Sequence, residues 1–326
     1  MPLPTPSDVH VDQVLSNISL AYLQDQAAFV ADRVFPVVEV PKQSDRYYTY
    51  DRGYFNRDDM AERAPGTESA GTAFSLDNTP TYYCREYALH QDIPDQVVAN
   101  ADSVLNPMAD AAKLLTQKAL IKRERLFAAN YLTTGVWGTD ITGVSSGPTG
   151  PQILQWNDAS SDPISDLRHL GTVMLESTGY RPNTLVLGRK TYDALLDNAA
   201  LIDRIKYGQT AGAAASVNLN LLAQLFEVDR VLVSQAIVNS ANEGAANSHA
   251  FIAGKHALLA HVAPSPGLMT PSAGYTFAWT GMGGMFQTVR TFRMEHLKAE
   301  RIELETTLDQ HQVAADLGLF VNGAVA

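Results

Sequence analysis

The sequence predicts an α+β protein in which extended segments precede a compact part. Three observations support this fold class. A tyrosine-rich stretch interrupted by glycines runs from Ser44 to Leu89, one long helix pattern covers 107–134, and helix and strand patterns alternate from about residue 160 onward. Nearly the first hundred residues therefore precede any segment that could fold alone, and we expect copies of the same chain to complete them.

Composition restricts the classes of function. The chain has 326 residues, 45% of them hydrophobic, which is enough for a core and about two domains. Its net charge of −11 argues against gripping nucleic acid through a basic surface, although looser contact on one face stays open. The single cysteine, Cys84, excludes an intrachain disulfide and suits a reducing cytoplasm. No apolar run approaches the roughly 18 residues of a membrane span, and no signal peptide is recognisable.

Residues 1–43 are predicted to form an N-terminal arm. Within the arm, the segment from Val34 to Pro41 has the apolar, β-branched composition of a strand. Two prolines bound this segment, and proline cannot donate to a β-ladder. The segment is therefore predicted to lie at the edge of a sheet.

Residues 44–91 are predicted to form a ribbon of two long strands joined by a broad tip. Tyrosines favour strand on both sides of the tip, and 81–89 is the return strand. An isolated two-stranded ribbon is only marginally stable in water, so this one is predicted to project from its own core and dock on an adjacent subunit. The candidate contact residues combine aromatic rings with charges of both signs: Arg46, Tyr48, Arg52, Tyr54, Arg57, Asp58, Asp59, Glu62 and Arg63.

The long helix has a clear start signal, with Asn106 as N-cap and Pro107 at the first helical position. Apolar residues then recur at helical spacing as far as Ala129. Five cationic residues are predicted to avoid that apolar stripe: Lys113, Lys118, Lys122, Arg123 and Arg125. A helix of this length spans about 40 Å, which indicates an elongated molecule.

The second half of the chain alternates between helices and strands. Helices are predicted at 163–178, 190–198 and 219–226, and strands at 184–187, 230–233, 250–253, 257–262 and 317–325. Asp162 and Gly179 are the expected cap and stop of the first helix. Ile302 and Leu304 alternate with charged residues, as in a strand with one buried face.

Chemical motifs are weak throughout. Gly188-Arg189-Lys190-Thr191 lacks the upstream glycine of a phosphate-binding loop and is predicted to be a plain turn. The eight histidines show no metal-ligand spacing. The sequence thus offers no catalytic, cofactor-binding or metal-binding residue, and no cofactor is predicted.

Four segments resemble the major capsid proteins of tailed bacteriophages with the HK97 fold. They are "VDRVLVSQAIVN…HAFIAGKHALLA", "RPNTLVLGRKTYDALLD", "YALHQDIPDQVV" and "RERLFAANYLTTG". Their order matches the order of parts in that family. The resemblance implies an arm at 1–43, an extended loop at 44–91, a peripheral domain at 92–160 and 286–326 with spine helix 107–134, and an axial domain at 161–285.

The same resemblance implies a structural, non-enzymatic subunit. Copies would form the pentamers and hexamers of an icosahedral shell, assembled in the host bacterial cytoplasm and ending in the virion. Packaged double-stranded DNA would be contacted non-specifically on the inner face. A portal, a separate scaffolding protein and a cement or decoration protein are the other implied partners. No membrane is implied.

The chain departs from some members of that family in two ways. Residues 45–88 contain no lysine for a covalent cross-link, so none is predicted. About forty residues precede the ribbon, too few for a fused scaffolding domain, so an unproteolysed subunit with a separate scaffold is predicted.

Two alternatives remain open at this point. One is an encapsulin-like nanocompartment of the same fold, which would enclose cargo enzymes. The other is an α/β enzyme with its active site in 160–290, which would need titratable groups with perturbed pKa values that converge in a pocket.

Overall fold

Two β-sheets form the body of the molecule, and one long helix packs against both. The computed structural model describes residues 23–101, 105–208, 218–267, 269–282 and 288–326. The first 22 residues of the predicted arm therefore lie outside the described residues.

The regular elements of the described ranges are numbered in chain order. The helices are α1 (Ala31–Val34), α2 (Arg52–Phe55), α3 (Asp95–Asn100), α4 (Pro107–Tyr131), α5 (Pro163–Thr178), α6 (Arg189–Leu196), α7 (Ala199–Gly208) and α8 (Leu219–Leu225). The strands are β1 (Val37–Val40), β2 (Ser44–Arg46), β3 (Thr49–Tyr50), β4 (Leu76–Asp77), β5 (Thr81–Tyr83), β6 (Arg85–Pro94), β7 (Thr139–Val144), β8 (Gln152–Leu154), β9 (Thr184–Gly188), β10 (Arg230–Ser234), β11 (Ile237–Asn239), β12 (His249–Phe251), β13 (Ala257–Ala260), β14 (Gly274–Trp279), β15 (Thr288–Met294), β16 (Ala299–Gln312) and β17 (Gly318–Asn322).

A six-stranded mixed sheet has the order β10-β9-β13-β17-β7-β8. One face packs on helices α5 to α8, where Leu185, Leu259 and Leu319 share a core with helix residues such as Leu167 and Leu195. The opposite face packs on α4 and on the chain before β1. Both faces are thus covered, which explains the continuous apolar runs of β9, β13 and β17.

The predicted boundaries of α5 are confirmed. Asp162 caps the helix because its Oδ1 accepts hydrogen bonds from the backbone N–H groups of Ile164 and Ser165, both at 3.2 Å. Gly179 ends the helix with φ of 79°, a left-handed conformation that glycine adopts without steric cost.

A second sheet has the order β1-β14-β16-β15, and β6 also pairs with β16. Strand β1 lies at its edge, as the prolines predicted. Ile302 and Leu304 of β16 are buried against Ala111 and Leu115 of α4. The predicted one-sided alternation of this strand is therefore confirmed.

At two places, strand pairing connects segments that the predicted division puts in different domains. Strands β7, β8 and β17, which were assigned to the peripheral domain, pair within the six-stranded sheet. Strand β14, assigned to the axial domain, pairs with β1 and β16 instead. The apolar run of β17 gives the reason, since a strand buried on both faces belongs at the centre of a covered sheet.

Helix α4 changes its buried face along its length. Asn106 caps it as predicted, accepting from the Ala109 N–H at 3.1 Å, and the helix ends at Tyr131 rather than at 134. The first half buries Ala111 and Leu115 against β16, whereas the second half buries a different stripe. The prediction that Arg123 avoids the buried side is wrong, because this second stripe takes Arg123 inside.

An ion pair joins β6 to β16 on the sheet face away from α4. Arg301 Nε and Nη2 lie 2.6 and 2.8 Å from the two carboxylate oxygens of Asp92. These hydrogen bonds lower the pKa of Asp92 below its ordinary value. Since the unfolded carboxyl has the higher pKa, the pair stabilises the fold above the unfolded pKa. That contribution is lost as pH falls through the folded pKa.

Replacing Asp92 with asparagine is expected to lower the free energy of unfolding at pH 7 by about 0.5–1 kcal/mol, because the pair is partly exposed. The variant should also lose part of the destabilisation that the native chain shows on acidification. Chemical denaturation at pH 7 and at pH 3 measures both effects. Asp110→Asn is the control, since the ion pair that Asp110 makes among the described residues is a long one, 3.9 Å from Lys113 Nζ. Equal pH dependence of D92N and the native chain would contradict this assignment.

Candidate subunit interface

The base of the ribbon belongs to the core of its own subunit. The ring of Tyr82 stacks on Phe277 with centroids 4.5 Å apart and 19° between planes. Tyr47 lies edge-on to His311 at 5.7 Å. The prediction that the whole segment from Tyr47 to Tyr87 projects away from its own core is therefore wrong at the base.

The ribbon strands are much shorter than the two long strands predicted. Strand β2 pairs with β5 over three residues, and β3 pairs with β4 over two. Beyond them lie the single turn of α2 and an irregular tip. The physical reason is that the body of the subunit covers only the β2–β5 pair, through Tyr82. The residues of the β3–β4 pair belong to none of the core clusters of the described residues, and a bare two-stranded ribbon gains little from extending.

The tip holds an aromatic cluster formed by Tyr50, Phe55 and Phe74. Their ring centroids lie 5.9–6.2 Å from one another. The three residues are nevertheless 37%, 52% and 63% exposed. Met60 beside them in sequence is 94% exposed. Such a group of open apolar side chains marks a surface that another surface covers.

The nine predicted contact residues lie on the ribbon, and seven of them are exposed. Tyr54 and Asp59 are half-buried. The guanidinium of Arg57 lies 5.2 Å from the centre of the Tyr54 ring. Asp59 accepts a hydrogen bond from the hydroxyl of Thr72 at 2.8 Å. Local contacts thus order parts of the tip without burying it.

One charge of the tip binds its own subunit. Arg52 Nη1 lies 2.8 Å from the carboxylate of Asp316, and this pair fixes the start of α2. Within the described residues, the other predicted charged positions of the tip make no ion pair: Arg46, Arg57, Asp58, Asp59, Glu62 and Arg63. These groups remain available to an external partner.

The sequence analysis missed a buried polar cluster that fastens the chain before β1. We call residues 24–36 the strap. Glu124 of α4 is 1% exposed and its Oε2 accepts from the N–H groups of Val30 and Ala31, both at 2.9 Å. Its Oε1 accepts from the Ser234 hydroxyl at 2.6 Å. One carboxylate thus joins the strap, the long helix and the edge strand β10.

Two further contacts hold the strap. Arg123 Nη2 lies 2.9 Å from the carboxylate of Asp32. The side-chain amide of Gln24 exchanges two 2.8 Å hydrogen bonds with the backbone of Ile237. Burial raises the pKa of Glu124 and of Asp32, and it lowers the pKa of Arg123.

The sequence did contain a signal for this cluster. Glu124 lies four residues after Leu120 and three before Phe127, so it falls on the apolar stripe of the second half of α4. A glutamate on a buried helical stripe indicates a carboxylate whose oxygens accept hydrogen bonds inside the protein, because an unpaired buried charge is costly.

Two groups with shifted pKa values, Asp32 and Arg230, line the same groove, and both are held in structural contacts. This groove of about 540 Å³ is lined by Asp32, Arg33, Asp229 and Arg230 among others. Arg230 has a structural role there, since its Nε donates a hydrogen bond to the Thr184 hydroxyl at 2.9 Å. Burial raises the pKa of Cys84 to about 11, which keeps its thiol protonated at neutral pH.

The described residues carry neither a candidate metal site nor a candidate membrane-spanning helix. They hold no group of three His, Cys, Asp or Glu side chains arranged to bind a metal ion. Among the same residues, no helix has both the length and the apolar character to cross a membrane.

Known proteins resemble this chain in sequence and in fold. Residues 154–306 match the family model of phage major capsid protein E. Over 321 residues the chain is 26% identical to the major capsid protein of Pseudomonas phage JBD67, and the match covers 97% of each chain. The chain is thus similar to phage major capsid proteins over almost its whole length, and its fold is the HK97 fold. Its role is structural and shell-forming, and it is part of the virion.

Solved structures agree with the fold of this capsid protein. A phage-related protein from Bordetella bronchiseptica RB50 is 22% identical, with a TM-score of 0.67 over 92% of this chain and 94% of that one. The capsid structure of cyanophage P-SCSP1u gives 0.62 at 13% identity, covering 97% and 93%. The SrpI encapsulin of Synechococcus elongatus PCC 7942 gives 0.56 at 11% identity, covering 95% and 93%. Capsids and encapsulins therefore share this fold, and the fold by itself does not distinguish the two classes.

Proposed function

We propose that this capsid protein forms pentamers and hexamers of an icosahedral shell that encloses double-stranded phage DNA. The observation that carries the proposal is the ribbon tip. It presents Tyr50, Phe55 and Phe74 to solvent on a segment whose strands are too short to stand alone. Another copy of the chain is the surface that would bury them.

The tip would lie on the adjacent subunit of the same pentamer or hexamer. Its aromatic cluster would supply the apolar contact, and the charges without a partner in the described residues would fix the orientation. The contact residues proposed are those predicted from sequence, with the three aromatic residues added. An interface of this kind should bury well above about 1,000 Å².

The relatives favour a phage capsid over a nanocompartment. Relatives that match almost the whole length of this chain are phage major capsid proteins at 25% and 26% identity, whereas the encapsulin is 11% identical. Negative-stain microscopy of particles from the native host tests the choice. Tailed particles with DNA support the capsid, and tail-less spheres filled with protein cargo would contradict it.

Other partners follow from the capsid role. We propose that a portal, a separate scaffolding protein and a cement or decoration protein contact this chain during assembly in the bacterial cytoplasm. We propose also that the chain has no catalytic activity and needs no cofactor. Its perturbed carboxyls and arginines are bound in structural contacts, which supports this view.

Covalent cross-links between subunits are not expected, because residues 45–88 contain no lysine. Shells boiled in denaturant should run on a gel as a single band near 35.4 kDa. A ladder of multimers would contradict this prediction. The control is Lys42→Gln, since Lys42 is the nearest lysine to the ribbon and pairs with Asp45 at 2.9 Å. If a ladder formed and this variant removed it, Lys42 would be the cross-linking residue.

A further inference from the structure

The second half of α4 carries a row of cations that the shell role does not use. Lys118, Lys122 and Arg125 are spaced four and three residues apart, so they fall within about 60° of one another around the helix. All three are exposed. They lie opposite the stripe that buries Leu120 and Phe127. The row continues the helical line of Ala111 and Leu115 beyond the part that packs on β16, and its side chains are exposed there.

Strand β6 extends this row into a patch. The ammonium of Lys122 lies 5.1 Å from the centre of the Tyr87 ring, which places α4 directly beside β6. Arg85 is exposed and shares a strand face with Tyr87, since residues two apart point the same way. We call Arg85, Lys118, Lys122 and Arg125 the cationic patch.

No carboxylate neutralises the cationic patch within the described residues. None of its four members makes an ion pair there. Glu124 interrupts the row in sequence but points to the opposite, buried side. Like charges three and four residues apart slightly destabilise a helix. In a chain of net charge −11, such a local excess of positive charge is complementary to an external polyanion.

We propose that the cationic patch contacts the phosphate backbone of the packaged duplex DNA. This inference rests on the proposed function, because it requires a shell that holds DNA. Duplex DNA carries one charge per about 1.7 Å of axis, so a row of cations about 10 Å long meets several phosphates without reading sequence. The patch would be the part of an otherwise acidic subunit that holds the outer layer of DNA.

A neighbouring ribbon tip is the competing occupant, and the observations favour DNA over it. The tip carries both signs of charge and exposes apolar side chains, namely Met60 and the aromatic cluster. The receptor of such a tip needs apolar area. The cationic patch offers charge and the side of one tyrosine instead.

Lysine acetylation of intact particles tests the proposal. A small acylating reagent is applied to DNA-filled particles and to the same particles after their DNA has been released, and modified peptides are quantified by mass spectrometry. Lys118 and Lys122 are expected to react several-fold less in filled particles than in emptied ones. Lys113 on another face of α4 and Lys190 on α6, both exposed, are the internal controls and should not change.

The outcomes separate the alternatives. Equal and high reactivity of Lys118 and Lys122 in both particles would overturn the DNA contact. Low reactivity in both would also overturn it and would assign the patch to another protein copy. Failure of the chain to form shells would instead count against the proposed function.

A variant supplies a second measurement. Lys118→Gln, Lys122→Gln and Arg125→Gln together keep helix propensity and remove three charges. Filled particles of this variant should lose DNA at a lower temperature than native ones, while shell yield stays the same. The charge-matched control replaces Lys42, Lys113 and Lys190 with glutamine and should release DNA as the native particles do. Unchanged release from the patch variant would contradict the proposal.

Discussion

Replacing Glu124 with alanine is expected to lower the free energy of unfolding by about 3–5 kcal/mol. The side chain is almost fully buried and accepts hydrogen bonds from Val30, Ala31 and Ser234. Its removal leaves three buried donors without an acceptor, at about 1–3 kcal/mol each before relaxation. The loss is therefore among the largest that a single substitution can cause.

The damage should spread from the strap into the core. Val30, Val34 and Phe35 of the strap are fully buried against Phe127 and the six-stranded sheet. Once the strap loosens, this second core opens to water. Hydrogen exchange should therefore rise first in residues 24–36, and chemical denaturation should show the lower stability.

Two variants control this prediction. Glu176→Ala removes an exposed glutamate from α5 and should change stability by less than about 0.5 kcal/mol. Glu124→Gln keeps the shape of the side chain but places an NH2 donor against existing donors. Its free energy of unfolding should therefore lie between those of Glu124→Ala and Glu176→Ala. Native stability and native exchange in the Glu124→Ala variant would show that the strap does not depend on this carboxylate.

Replacing Phe55 and Phe74 together with serine is expected to abolish shells while leaving the subunit folded. The rings contact each other and Tyr50, and they lie outside the two cores of the body. Each buried ring would contribute about 1 kcal/mol or more at every ribbon contact. Because the contact repeats at every subunit, a small loss per copy becomes decisive for the shell.

The matched control for this pair is Phe55→Leu with Phe74→Leu, which keeps the apolar character of the tip. That variant should still assemble. Sedimentation and microscopy score the shells, and circular dichroism with thermal unfolding checks that the serine variant keeps the native fold. Normal shells from a folded serine variant would refute the role of the aromatic cluster.

The sequence was sufficient to predict helices and strands where local signals agreed with the burial of the residues. Asp162 and Gly179 bounded α5 correctly, and the alternation of Ile302 and Leu304 predicted a one-sided strand. These signals are local, since capping and alternation depend on residues close in sequence. The HK97 fold itself followed from the order of such segments, and the comparisons confirm it.

Contacts between segments that are distant in sequence could not be predicted from local sequence signals. Nothing within β17 says that its partners are β13 and β7, so its place in the six-stranded sheet could not be predicted from the sequence. Arg123 was misplaced because α4 changes its buried face where it passes from one sheet to the other. Phe74 was missed because its partners, Tyr50 and Phe55, lie across the ribbon tip.

The central claim is that this chain is a shell subunit completed by its own copies. Electron microscopy of the purified full-length protein, supported by sedimentation velocity, tests the claim most directly. We expect closed shells of pentamers and hexamers in which each ribbon tip lies on an adjacent copy. A stable monomer with both strap and ribbon tip ordered in solution would contradict it.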